Sequence, residues 1–392
     1  MSHPILANVR QCSGCVACVD ACSKQALSTF MAEDGHIYVS CEENKCVLCH
    51  RCEQVCPAIN GEEYSSNKRE NALPYSVYST DANVYDKSTS GGAFAAMAHQ
   101  FIDDGGYVCG AVFDKNNVKH IVSNNHSDIT RMQGSKYMQS SLVGVYSQIA
   151  TLLKQQKKVL FCGMGCQGAA MVSYFRKNRN RDLLYIIDMI CGGVPSSLLA
   201  STFLKNEPNY KQIVGYRKKD EYVLSCLNKN NEVEYLHYRT LPIVGFGTGL
   251  TNRYSCSDCH FCGIERLSDI TIGDLWGPMG KGSVHKSVAI VHTEKGKCLL
   301  DNSKGLYSES IDWAFIKYNY RCVIGKSVNR FRLRRRLLAW NFKHLPYPVL
   351  CGLYGCNVKI PIWIAYKAYG FIVSKIERLY ISKQLTKILN KI

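Results

Sequence analysis

The chain has 392 residues, 46% apolar and 20% charged, which excludes a disordered polymer and exceeds one ordinary core, so two or three units are expected. Its formal charge of +17 raises nucleic acid as a partner, yet no recognised nucleic-acid module surrounds the basic run at 330–336, and none is expected to bind. Twenty-one cysteines, behind an opening Met-Ser-His-Pro-Ile that shows no secretory pattern, point to a reducing, cytoplasmic setting where thiols serve metal, as in an anaerobe.

Eight of these cysteines come first, in two runs that superimpose on a shift of 34 residues: Cys12, Cys15, Cys18, Cys22, then Cys46, Cys49, Cys52, Cys56. Cys-x2-Cys-x2-Cys-x3-Cys used twice is the ligand layout of a two-cluster ferredoxin, in which each run lends its fourth thiolate to the other cluster. One 4Fe–4S cubane is expected on Cys12, Cys15, Cys18 and Cys56, the other on Cys46, Cys49, Cys52 and Cys22. Zinc, held by paired Cys-x2-Cys knuckles, leaves the third thiol at the same pitch unexplained. Pro57 follows Cys56 as this motif expects, whereas Ser23 follows Cys22; Cys41 falls outside the pattern and reads as a spare thiol. Between the runs, residues 26–30 and 36–39 flank Asp34-Gly35 as a short hairpin. A polar, aperiodic stretch at 61–72 then reads as a linker closing a ferredoxin-like unit of residues 1–60.

From residue 73 strands and helices alternate. Strands are expected at 75–79, 107–113, 118–122, 159–161 and 183–188, helices at 92–101, 145–155, 167–175 and 196–205. That order argues for an α/β unit over 73–345 on a parallel or mixed sheet, giving an α+β unit followed by a larger α/β one. Antiparallel strands at 213–217, 222–227 and 232–238 follow. Residues 346–392 form a basic, aromatic C-terminal extension. Its uncharged stretch at 360–366 is far short of the ~20 residues a spanning helix needs. Docking on the body or on a partner is expected there, with a peripheral membrane contact as the alternative.

Four further segments look chemical: Cys162-Gly-Met-Gly-Cys166-Gln, Asp188-Met-Ile-Cys191-Gly-Gly-Val-Pro195, Cys256-Ser-Asp-Cys259-His-Phe-Cys262, and Ser268-Asp-Ile-Thr-Ile-Gly-Asp274-Leu-Trp276-Gly. Cys166 and Cys191 each follow an expected strand at the carboxyl edge of the sheet, where open α/β folds gather ligands. Two such thiols and a Cys-x2-Cys loop suggest a third cluster. The alternative is that buried Cys acts as a small apolar residue, which is how Cys109, Cys226, Cys298 and Cys322 read. Gly163-Met-Gly165-Cys-Gln-Gly168, with Asp188 twenty residues on, also satisfies a dinucleotide fingerprint, so an NAD(P)H-dependent reductase stays open.

With Lys87-Ser-Thr-Ser-Gly-Gly-Ala-Phe94, Gly134-Ser-Lys-Tyr137, Gln139-Ser140, Gly163-x-x-Cys166-Gln167, Cys191-Gly-Gly-Val-Pro195 and the closing Cys-x2-Cys and Asp-Leu-Trp segments in this order, the chain resembles the coenzyme F420 hydrogenase/dehydrogenase beta-subunit family over nearly its whole length. Gly165 stands where that pattern carries Pro. The resemblance implies an iron–sulfur flavoprotein. It places FAD near Ser90, Gly91, Gly92, Ser135, Lys136 and Tyr137, and a cluster near the flavin on Cys166, Cys191, Cys256 and Cys259, with Cys162 or Cys262 as replacements. Ser90-Gly91-Gly92 opening a helix would offer backbone N–H groups to a flavin phosphate, and Lys136 a cation. The expected activity is hydride exchange at the flavin and single-electron passage through the clusters, to or from an F420-like carrier, a ferredoxin or a redox partner protein. Members also occur as single polypeptides near polysaccharide-synthesis functions, so an accessory role there is a further alternative. Three bound clusters would lower the charge to about +11.

Overall fold

The computed structural model describes residues 4–60, 72–219, 221–264, 266–276, 284–319 and 340–353. The linker over 61–71, Cys322, the basic run at 330–336 and the extension beyond 353 lie outside the described residues.

The N-terminal unit contains α1 (Ala17–Ala21), the antiparallel pair β1 (Leu27–Met31) and β2 (Ile37–Cys41), and α2 (Arg51–Gln54). The hairpin lies where Asp34-Gly35 placed it, while α1 and α2 are single turns hidden in the cysteine runs. Each helix starts after a left-handed residue, Val16 at φ 57° and His50 at φ 56°. Gly14 at φ 70° and Leu48 at φ 54° match as well, again at the 34-residue offset. Positive φ is a genuine outlier for a β-branched residue such as Val16. The same contortion is made twice, once in each cysteine run.

The larger unit runs through β3 (Leu73–Ser79), α3 (Ala82–Asp86), α4 (Ala93–Asp103), β4 (Tyr107–Asp114), β5 (Asn117–Ser123), α5 (His126–Met132), β6 (Ser140–Ser141), α6 (Val145–Lys154), β7 (Val159–Met164), α7 (Gly165–Phe175), β8 (Leu184–Met189) and α8 (Leu198–Asn206). An antiparallel sheet of β9 (Tyr210–Gly215), β10 (Leu224–Asn228) and β11 (Val233–Leu236) follows. The chain then returns through α9 (Leu241–Thr248), β12 (Ile270–Asp274), β13 (Ser287–Val291), α10 (Glu294–Asp301), β14 (Leu306–Ser310), α11 (Trp313–Asn319) and α12 (Tyr347–Leu353). Among the described residues the main sheet has the order β14-β3-β13-β12-β8-β7-β4-β5-β6. It is mixed: β12, β8, β7 and β4 run parallel, and β13 is antiparallel to both β12 and β3. So β3 runs with the parallel set, and the carboxyl ends of β3, β7, β8 and β12 share one edge.

Alternation marked the strands from β3 to β8, but β13 reads Ser-Val-Ala-Ile-Val and is buried at every position, so no in–out pattern betrays it. Neighbouring residues of β7 face opposite sides of the sheet, Phe161 entering one core and Leu160 and Cys162 the other. The first core also takes Cys15, Val16, Ala17, Ala21 and Val55 from the cysteine loops. Asp20 strengthens this union by accepting from the N–H groups of Gly144 (2.8 Å) and Tyr146 (3.1 Å) at the start of α6. The Tyr146 hydroxyl donates to the Cys15 carbonyl at 2.9 Å. The N-terminal unit is thus fused to the sheet by a common interior. Among the described residues no helix is long and apolar enough to cross a membrane.

Candidate functional site

The first expected thiol set converges. Burial drives the Cys18 thiol upward, and Cys15, Cys56 and Cys12 push it further as neighbouring negative charges. Cys15 is raised to about 12, by burial first and then by Cys56 and Cys12. A cysteine so placed resists ionisation unless a cation takes the proton's place, which is what a ligating iron does. The second set lines one cavity, where Cys22, Cys46, Cys49 and Cys52 are joined by Cys41. Cys41 ends β2 in contact with Cys46, so the thiol outside the motif lies beside this set. The Ala26 N–H donates to Cys22 Sγ at 3.3 Å, a bond suited to a thiolate. Among the described residues no three His, Cys, Asp or Glu side chains crowd as a single metal ion requires.

A further set forms at the carboxyl edge of the main sheet. Cys166 occupies the first turn of α7, Cys191 follows β8, and Cys256 and Cys259 lie on the loop before β12. Cys166 is raised well above the usual thiol range by burial, then by Cys191 and Cys256; Cys15 of the first set also contributes, linking the two groups. Gly193 N–H donates to Cys191 Sγ at 3.3 Å and Val194 N–H to Cys256 Sγ at 3.4 Å. Cys262 stays beside this set, its sulfur 3.0 Å from the Cys259 carbonyl oxygen. Cys162 does not: it is buried on the opposite face of the sheet with Val77 and Met97. Of the remaining thiols, Cys109 and Cys226 are core residues as expected, but Cys298 is exposed on α10 because that helix turns Leu299 and Leu300 inward instead.

The segments proposed for the flavin meet at the same edge. Thr89 Oγ1 and Ser135 Oγ are 3.2 Å apart. Ser287 accepts from the Gly91 N–H at 2.9 Å and bonds the Ser90 hydroxyl at 3.0 Å. Gly92 caps α4 without any side-chain hydrogen bond, leaving its first-turn N–H groups for another acceptor. Lys136 turns the other way, donating to the carbonyls of Gln133 (2.8 Å), Met132 (3.1 Å) and Gly134 (3.2 Å), and burial pulls it down to about 7. Tyr137 stacks on Phe246 with centroids 3.7 Å apart.

Sequence reasoning missed the cation that does face this place. Arg217 is buried, pairs with Asp274 at 2.5 Å, reaches the Thr89 carbonyl at 3.5 Å, and keeps a buried Nε with no partner among the described residues. Trp276 and Tyr222 flank it. Its only advance signal was Asp274 in the Ser-Asp-Ile-Thr-Ile-Gly-Asp segment.

Asp188, the acid of the dinucleotide fingerprint, is 1% exposed. It pairs with Arg266 at 3.2 Å and accepts from the Thr271 hydroxyl at 2.6 Å. Both carboxylate oxygens are engaged. Gly165 has no room for the proline of the related pattern, since a Cβ there would stand 2.6 Å from Arg266 Nη1 and 2.9 Å from the Phe261 carbonyl oxygen.

Residues 156–310 match the family model for the C terminus of the coenzyme F420 hydrogenase/dehydrogenase beta subunit, and residues 11–59 match a 4Fe-4S dicluster domain. The F420-dependent formate dehydrogenase 1 subunit beta of Methanococcus maripaludis is 25% identical over 239 residues, covering 59% of this chain and 59% of that protein. The chain thus spans less than two thirds of that curated relative. A solved chain from the F420-reducing NiFe hydrogenase complex of Methanosarcina barkeri overlaps 69% of this chain and 89% of its own, at 17% identity and a TM-score of 0.46.

Proposed function

Because this chain belongs to the coenzyme F420 hydrogenase/dehydrogenase beta-subunit family, we propose that it is an iron–sulfur flavoprotein oxidoreductase that passes electrons between a hydride carrier and a redox partner protein. The observation that carries this reading is the approach of three thiol sets within one body, Cys52 of the second lying near Cys18 of the first and Cys15 of the first near Cys166 of the third. Cys12, Cys15, Cys18 and Cys56 would hold one 4Fe–4S cubane, Cys22, Cys46, Cys49 and Cys52 a second, and Cys166, Cys191, Cys256 and Cys259 a third. Bound FAD would supply the conversion between a two-electron hydride and the single electrons that cubanes accept.

The chain's own residues would serve that cofactor in distinct ways. The α4 N-terminus behind Ser90, Gly91 and Gly92 supplies N–H groups to a phosphate. Ser135 ties the facing loop to Thr89. Lys136, its ammonium spent on three carbonyls, braces the turn that presents Ser135 and Tyr137. Arg217, with its unpartnered Nε, supplies the cation the sequence had suggested for Lys136.

Anaerobic purification with iron, sulfide and flavin counted per chain tests this. About twelve irons and one FAD are expected, three cubanes of four irons each. Eight irons would remove the third cluster, and absence of flavin would remove the hydride chemistry. Bleaching of the flavin by F420H2, by NADH or by reduced ferredoxin then identifies the carrier.

A further inference from the structure

Arg253 is among the largest fully buried side chains, 1% exposed. Its guanidinium donates from Nε to the Cys12 carbonyl at 2.6 Å, from Nη1 to Gln139 Oε1 at 3.1 Å, and from Nη2 to Cys12 Sγ at 3.5 Å. The Tyr38 ring covers it at 4.2 Å. A carbonyl, an amide, a sulfur and a ring are its partners, and none of these is a carboxylate. Burying a cation without a counter-charge is strongly unfavourable, and arginine cannot shed its proton to escape. Of the groups that touch the guanidinium, the Cys12 sulfur is the one that becomes anionic when it ligates metal.

The backbone of the same residue belongs to the third thiol set. Arg253 N–H donates to the Val194 carbonyl at 2.9 Å, and its own carbonyl accepts from the Cys256 N–H at 3.0 Å. Val194 in turn donates to Cys256 Sγ at 3.4 Å. One residue therefore carries its charge to the first set and its main chain to the third. The N-terminal loop is shaped around it: at Gly14, φ 70°, a Cβ would stand 2.7 Å from Arg253 Nη1 and 2.3 Å from Gln139 Nε2.

We propose that Arg253 is the internal counter-ion between the cubane on Cys12, Cys15, Cys18 and Cys56 and the cubane on Cys166, Cys191, Cys256 and Cys259, raising the reduction potential of the first. The role between two cubanes rests on the proposal that the third set holds a cluster. Each electron accepted makes the cluster more negative. A fixed cation and an N–H to a ligating sulfur favour the reduced form, and both act through charge rather than shape. Arg253 is a positioning and potential-setting residue, with no bond made or broken at it.

The test titrates the anaerobic, iron-counted holoprotein reductively while electron paramagnetic resonance follows each cluster, the first being assigned by the signal lost in Cys18→Ala. Arg253→Gln, which keeps an amide donor and loses the charge, is expected to disfavour reduction about tenfold, about 59 mV for one electron. Arg253→Lys keeps the charge and should move the midpoint by less than half of that. Gln139→Glu sets a carboxylate against the guanidinium while retaining the acceptor for the Ile37 N–H, and should lower the same midpoint. Because it is nearly isosteric it decides the matter if Arg253→Gln fails to load iron. An unchanged midpoint in a fully loaded Arg253→Gln or Gln139→Glu protein overturns the proposal, as does an equal shift in Arg253→Lys. A wild-type count of two cubanes defeats the third-set reading by itself, and the first-cluster midpoint still reports on Arg253.

Discussion

Replacing Asp188 by Asn isolates the structural worth of the buried pair beneath the third thiol set. The Asp188 and Arg266 side chains are 2% and 4% exposed and 3.2 Å apart. Removing one member of such a pair costs about 3–5 kcal/mol, because the surviving charge stays buried without its counter-charge. At about 2–4 °C per kcal/mol for a chain of a few hundred residues, the melting temperature should drop by about 10 °C. Arg266 also donates to the Gly263 carbonyl at 2.9 Å, so the loop carrying Cys259 loosens with it. Scanning calorimetry of the anaerobic holoprotein at one scan rate, with iron counted before and after, should show the lower transition and a loss of up to about four irons per chain. Arg266→Met in the same background should recover part of the stability, since the stranded charge is gone. An unshifted transition accompanied by weakened NADH binding would refute this reasoning and return Asp188 to the ribose of a dinucleotide.

Other expectations follow from single contacts. Cys166→Ala should remove about four irons while Cys162→Ala removes none, because Cys162 is buried in the core with Val77 and Met97 and Cys166 lies beside Cys191 and Cys256; equal iron counts in the two variants would contradict the assignment. Cys41→Ser should keep both N-terminal cubanes and Cys46→Ser should not, judged by iron and by the visible spectrum. Gly14→Ala, whose Cβ would crowd Gln139 and Arg253, should lower iron loading more than Gly105→Ala, which shares the left-handed backbone (φ 70° against 79°) but whose Cβ would meet nothing within 4 Å. His120 and His292 are each held down to about 4, chiefly by burial, against an ordinary 6.5. The unfolded chain binds their protons first, so the stability they contribute is complete above about pH 6.5 and is lost as pH falls toward 4, about 3 kcal/mol for each. His120→Asn should flatten that part of the pH–melting curve, and an unchanged slope would count against it.

Much of this was legible because it is local. A cysteine every third residue dictates a loop that turns its sulfurs inward, and the repeat at 34 residues shows itself in matched φ values at Gly14 and Leu48, Val16 and His50. Strand and helix periods marked the framework from β3 to α8 apart from the short α3, α5 and β6, and strand-end positions singled out Cys166 and Cys191. Spacing joined them to the Cys-x2-Cys loop, and the resemblance picked out Cys256 and Cys259 within it.

What remained hidden depends on residues far apart in the chain. That Cys162 is withdrawn from the third set is decided by the side of β7 its side chain leaves, whereas Cys166, one turn later, is held at the strand's end by the start of α7. Lys136 reads as a free cation until the turn of α5 puts three carbonyls around it, and Arg217 reads as one more strand residue until Asp274 arrives from the far end of the unit. Arg253 could be ranked only after folding, when the N-terminal loops brought Cys12 against it. Sequence determines what a short stretch of backbone can shape and bind, since that cost is local. The counter-charge of a buried group comes from wherever the chain happens to return, and only the packed interior reveals it.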